Sequence, residues 1–79
     1  MAVKAFVLIE ATMGKTKEVV TALEKVEGVK SVDAVTGPYD VIALIEMPDV
    51  NAIGDIVTKR IHSVSGIART VTCLAVRLD

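Results

Sequence analysis

The sequence predicts an α+β sandwich of βαββαβ order, a four-stranded antiparallel sheet with two helices on one face. Three observations lead there. Segments rich in β-branched residues alternate with two segments whose apolar residues recur at helical spacing. The two halves of the chain echo one another: "FVLIE" at Phe6–Glu10 matches "IALIE" at Ile42–Glu46, and "VEGV" at Val26–Val29 matches "VSGI" at Val64–Ile67, at offsets of 36 and 38 residues. Each half reads strand, helix, strand. Finally, 79 residues suffice for one domain, numbered 1–79, but not for two cores.

In chain order, Val3–Glu10 ("VKAFVLIE") is the first strand. Lys15–Val26 is the first helix: Val19, Val20, Leu23 and Val26 make one stripe, lysines and glutamates occupy the other positions, and Gly28 stops it. Val29–Thr36 is the second strand, Gly37-Pro38 a turn, and Asp40–Met47 ("DVIALIEM") the third strand. Asp49, after Pro48, is placed to cap a second helix whose stripe runs through Val50, Ile53, Ile56, Val57 and Ile61. Gly54 within it costs up to about 1 kcal/mol relative to alanine, which leaves close packing there as one explanation. Gly66 precedes the last strand, Ala68–Leu78. Two βαβ units interleaved in one antiparallel sheet make the ferredoxin-like arrangement.

Two helices cover only one face of such a sheet, and a solvated second face calls for polar residues at alternate positions. The first strand instead carries Ala5, Val7 and Ile9 on one side and Phe6 and Leu8 on the other; the third carries Val41, Ala43 and Ile45 against Ile42 and Leu44. Both faces are apolar. A bare face of this kind exceeds the few hundred Å² that soluble monomers usually expose, so a homodimer packed sheet to sheet is expected, itself a candidate building block of a larger body.

Composition narrows the function. Nine basic and ten acidic residues give a net charge of −1 without a cationic cluster, which argues against a phosphate-backbone partner. No apolar run approaches the roughly 20 residues of a membrane span, and no basic leader opens the chain, so a cytoplasmic protein is expected. A single cysteine, Cys73, and a single histidine, His62, offer neither an intrachain disulfide nor metal-ligand spacing, so no metal or cofactor is expected. Cys73 reads as a small core residue, and His62 as a residue at the negative end of the second helix.

The candidate chemistry is sparse. Gly37-Pro38-Tyr39-Asp40 sets a phenol and a carboxylate beside backbone amides at the sheet end. The carboxylate suits the ammonium of a small amphoteric ligand, and loop N–H groups suit that ligand's carboxylate. An Asx-type turn with Tyr39 packed on the surface is the plainer reading, and local chemistry alone favours it. Thr70 and Thr72 project to one side of the last strand, in line with Leu74 and Val76; alone they are ordinary strand residues, while Arg69 and Arg77 alternate to the other side.

Together these residues carry a resemblance. The turn and strand "VTGPYDVIALIE", the "VEGV" before the second strand and the closing "GIARTVTCLAVRLD" resemble the effector-binding domain of the leucine-responsive/asparagine regulator (Lrp/AsnC) family, the RAM domain, over nearly the whole chain. The resemblance implies a ferredoxin-like dimer assembling into an octamer or similar ring, with an amino-acid effector bound in clefts between dimers. It implies Gly37, Tyr39, Asp40, Thr70 and Thr72 as the site. The family's N-terminal DNA-binding domain has no counterpart in this sequence, which is similar to stand-alone RAM proteins. The implied role is amino-acid sensing or co-assembly with full-length regulators, without direct nucleic-acid or membrane contact. A ligand-free assembly module and a dimeric ferredoxin-like oxygenase or isomerase are the alternatives.

Overall fold

Parity along the first strand decides which side of the sheet becomes the core. In the computed structural model, which describes residues 2–78, β1 spans Val3–Ala11, and its odd positions Ala5, Val7 and Ile9 are fully buried while Phe6 is 40% exposed. β3, Val41–Met47, repeats the pattern with Val41, Ala43 and Ile45 buried. The two strands pair antiparallel in register, Val7 opposite Ala43 and Ala5 opposite Ile45, so the small and large residues interleave in one layer. β2, Val29–Ala34, flanks β3, and β4, Ile67–Leu74, flanks β1, giving the order β2-β3-β1-β4. The predicted βαββαβ antiparallel sandwich is what forms.

Both helices lie on the odd face. α1, Thr16–Glu24, buries Val19 and Leu23 and packs on β2 and β3. α2, Val50–Ile56, packs on β3 and β1 and buries Ile53 and Ile56; the expected cap is present, Asp49 Oδ1 accepting the Ala52 N–H at 2.8 Å. The core these elements enclose is aliphatic, and none of the described buried residues is polar or charged.

Several ends differ from expectation, each for an identifiable reason. The sequence predicts the first helix over Lys15–Val26, but its α-helical part stops at Glu24, because the Lys25 and Val26 N–H groups bond the carbonyls of Ala22 and Leu23, three residues back, and tighten the last turn. β2 stops at Ala34 rather than Thr36, since Val35 N–H turns to the Asp40 carbonyl. β4 ends at Leu74 rather than Leu78, because β1 begins at Val3: after Leu74 opposite Ala5 and a last bond from Ala75 N–H to the Lys4 carbonyl, its partner runs out. Val50, read as the start of the buried stripe, is 55% exposed in the first turn of α2.

The larger departure is at the end of the second helix. Val57–Ile61 is a π-helical turn, closed by His62 N–H to the Val57 carbonyl at 2.9 Å. Ile53, Val57 and Ile61 recur every fourth residue, and on an α-helix that stripe drifts, leaving Ile61 about 80° from Ile53 around the axis. The wider turn absorbs the drift, and Ile61 is fully buried.

Cys73 corrects a second expectation. It lies opposite Phe6, on the face away from the helices, and is exposed rather than part of the core. That face gathers Phe6, Leu8, Ile42, Leu44, Val71 and Cys73, with Phe6 and Val71 exposed and Leu8, Ile42 and Leu44 half-buried. Around it Lys4 lies opposite Glu46 and Glu10 opposite Arg69, residues of opposite charge. An apolar centre with a polar rim is the anatomy of a protein interface.

The glycines give a paired test of this packing. Gly66 has φ +98°, and a Cβ there would meet the Lys15 Cβ at 2.9 Å. Gly66→Ala is expected to destabilise the protein by about 1–3 kcal/mol in denaturant unfolding. Gly54 is exposed in α2, and a methyl group at its Cα would meet nothing within 4 Å, so its presence has no packing reason. Gly54→Ala is expected to stabilise by up to about 1 kcal/mol in the same measurement.

Candidate functional site

The turn between β2 and β3 is built around a backbone that only glycine adopts readily, Gly37 having φ +140°. Val35 N–H donates to the Asp40 carbonyl at 2.9 Å and closes the turn, and Asp40 N–H donates to the Ile9 carbonyl at 2.9 Å. The Asp40 side chain then reaches across the strand boundary: its Oδ2 accepts the Ala11 N–H at 2.8 Å. Tyr39 and Asp40 are half-buried, whereas Gly37 and Pro38 are exposed.

This geometry sharpens the expectation for Asp40. The residue does stand beside a backbone amide at the sheet end, but the bond links positions 29 apart and is not a local Asx turn. One carboxylate oxygen is therefore occupied in pinning the turn to the end of β1. A carboxylate offers about four acceptor sites, so capacity for a ligand's ammonium remains. The loop N–H groups fit a ligand carboxylate less well than expected, because those of Val35 and Asp40 are used within the fold.

Thr70 and Thr72 lie on β4 opposite Ile9 and Val7, whose side chains are buried under the helices; the threonines thus point to the helix side of the sheet. Because β4 is the edge strand, Thr72 is exposed and Thr70 half-buried. Ile9 pairs with Val41 on one side and Thr70 on the other, so the start of β3 and Thr70 share one level of the sheet, two strand spacings or roughly 10 Å apart. The chain thus sets the Gly37–Asp40 turn and Thr70 at one end of the sheet, with β1 between them.

One neighbour was not expected. His62, read as a helix-end residue, places its Nε2 at 3.0 Å from the Thr70 Oγ1. The π turn delivers it there, since His62 directly follows buried Ile61. An open cleft of about 260 Å³ beside this pair is lined by His62, Ile67, Ala68, Arg69 and Thr70. Arg69 Nη2 is 3.9 Å from Glu10 Oε2, a solvated pair that binds the arginine weakly. The fourth-residue spacing of Ile53, Val57 and Ile61 was the available signal for this placement. Among the described residues no group of three His, Cys, Asp or Glu side chains could hold a metal ion, and no helix is long and apolar enough to cross a membrane.

The two roles of Asp40 separate by substitution. Asp40→Ala leaves the Ala11 N–H without its partner and is expected to cost about 1–3 kcal/mol in denaturant unfolding. Asp40→Asn retains an oxygen acceptor and is expected to cost less than about 1 kcal/mol, so it tests the negative charge without losing the turn.

Comparison with known proteins places these features. The family model described as the Lrp/AsnC ligand binding domain matches residues 4–78. An HTH-type transcriptional regulator of Pyrococcus furiosus, PF0250, is 32% identical over 74 residues, which are 90% of this chain and 49% of that protein. The chain therefore spans about half the length of this relative. The crystal structure of TTHA0845 from Thermus thermophilus superposes with a TM-score of 0.91 at 39% identity, covering 98% of this chain and 96% of that one. The transcriptional regulator NMB0573 of Neisseria meningitidis, solved as its L-Met complex, shares the fold with a TM-score of 0.85 at 21% identity, over 95% of this chain and 50% of that one. A match across the βαββαβ sheet, both helices and the Gly37–Asp40 turn makes this chain a member of the Lrp/AsnC ligand-binding domain family.

Proposed function

We propose that the protein binds a free amino acid at a junction between subunits and acts, through its assembly, on amino-acid-responsive transcription. The observation that carries this reading is the Gly37–Asp40 turn, pinned to the end of β1 at the level of Thr70 on a chain whose opposite sheet face is bare. Asp40 is suited to an ammonium, Tyr39 to a polar or apolar contact, and Thr70 and Thr72 to hydrogen bonds with the ligand's remaining polar atoms. Because the turn and the threonines lie two strands apart, a neighbouring subunit closes the cleft over each. The Neisseria regulator's L-Met complex supports the class of ligand.

The assembly begins with a homodimer formed through Phe6, Leu8, Ile42, Leu44 and Val71, and dimers associate further into an octamer or similar ring. Full-length regulators such as the Pyrococcus relative are suitable co-assembly partners, since they carry a domain of the same family. The reading is of binding rather than catalysis. A ferredoxin-like enzyme would need its cleft between sheet and helices; aliphatic side chains fill the middle of that space here, and the open cleft at its β4 edge holds His62 and Thr70, so turnover of a substrate there would establish the enzyme alternative. The exposed Leu74 and Val76 suit an assembly role with or without a ligand, which the following measurements decide.

In a thermal-shift screen, one or a few of the twenty amino acids are expected to raise the melting temperature, by the equivalent of about 2.7 kcal/mol at 100 times the dissociation constant. Asp40→Asn is expected to remove the shift with the fold retained. An unshifted wild-type protein that is still oligomeric would leave the ligand-free assembly module as the function. For the dimer, Leu44→Glu sets a charge in the bare face, and light scattering is expected to show the mass of one chain. Cys73 is expected to react slowly with a maleimide in the wild-type assembly and quickly in that variant; equal rates would place the interface elsewhere.

A further inference from the structure

His62, paired here with Thr70, lies outside the site residues that the sequence pointed to, and it bears on how the effector is oriented. The cleft is lined by His62, Ile67, Ala68, Arg69 and Thr70; the polar side chains that meet there are the His62 imidazole and the Thr70 hydroxyl, while the Arg69 guanidinium is turned to Glu10 on the other face of the sheet. None of the lining residues is an acid, and a hydroxyl that accepts from an imidazole N–H has its own hydrogen free for an anion. The Asp40 turn has the opposite character: its side chain is an acid, and the N–H groups of Val35 and Asp40 are already bonded within the fold. The two ends of a zwitterion are too close together to span the roughly 10 Å between these places in one subunit, so they find complementary chemistry where the turn of one subunit meets the Thr70 cleft of its neighbour.

We propose that His62 is a positioning residue of the effector site, and that the Thr70 cleft takes the effector's carboxylate. With effector bound, His62 Nε2–H donates to Thr70 Oγ1, across the 3.0 Å separation seen here. The Thr70 hydroxyl hydrogen is then directed into the cleft and donates to the carboxylate. Linked donors of this kind polarise one another. The π turn of Val57–Ile61 is the structural cause, because it keeps Ile61 in the core while setting the next residue over β4. Turns of this type are often found at functional sites.

This inference rests on the amino-acid reading above, and the test keeps the two apart. The probes are the amino acid selected by thermal shift, with L-methionine tried first, and its C-terminal amide, which lacks the negative charge. Calorimetric titration of the wild-type protein is expected to show the amide binding about tenfold or more weakly, the loss of a charge-assisted hydrogen bond. His62→Ala is expected to weaken the free acid about tenfold while leaving the amide's affinity nearly unchanged. His62→Gln, which keeps an N–H donor, is expected to recover part of the loss. The double variant His62→Ala/Thr70→Val is expected to bind no worse than Thr70→Val alone, as residues acting in series should. Wild-type affinity in His62→Ala, or equal losses for acid and amide, would overturn the inference and leave the amino-acid reading standing. Failure of the wild-type protein to bind any of the twenty amino acids would overturn both.

Discussion

A four-stranded sheet has two faces, and this chain has helices enough for one. Ala5, Val7, Ile9, Val41, Ala43 and Ile45 are sealed beneath α1 and α2, while Phe6, Leu8, Ile42, Leu44 and Val71 alternate with them on the other side. A small domain buries only about 60% of the surface its unfolded chain exposes, so its stability margin is narrow. Burying a large aliphatic or aromatic side chain contributes about 1.5–3 kcal/mol, and several such residues remain on the bare face. Association through that face would add a second core to each subunit. The oppositely charged residues at its rim, Lys4 opposite Glu46 and Glu10 opposite Arg69, limit how such a partner registers.

The same economy shapes the site. The helices pack mainly over β2, β3 and β1, so the helix side of β4 is where threonines replace aliphatic residues. Thr70 and Thr72 lie opposite two fully buried residues of β1 yet are not themselves sealed. On the other flank of β1, the turn before β3 ends in a carboxylate that doubles as a backbone acceptor. Rigidity follows, since Asp40 is held through its N–H, its carbonyl and its side chain at once. A ligand meeting this turn encounters groups already in place, which reduces the ordering cost of binding.

Much of the architecture was legible in the sequence because it rests on periodicity. Alternation marked β1 and β3, a 3.6-residue stripe marked α1, and Asp49 after Pro48 marked the start of α2. Several of the misses have a different cause, a partner distant in the chain. Cys73 looked like a core residue until its register opposite Phe6 put it on the bare face. The end of β4 depends on where β1 begins, and the bond of Asp40 depends on Ala11, 29 residues earlier. His62 depends on a π turn hidden in a stripe that looked α-helical. For the candidate site, motif and strand were readable, but the bond of Asp40 to Ala11 and the pairing of His62 with Thr70 were not.

The proposed function makes effector binding and assembly one property, with the cleft completed by neighbouring subunits. Native mass spectrometry of the protein with a selected amino acid tests this most directly, since it counts subunits and ligands in the same particle. Particles with an even number of subunits are expected, with ligand retained only on those larger than a dimer and saturating at about one per subunit. Ligand carried by single chains, or particles of any size that carry none, would contradict it.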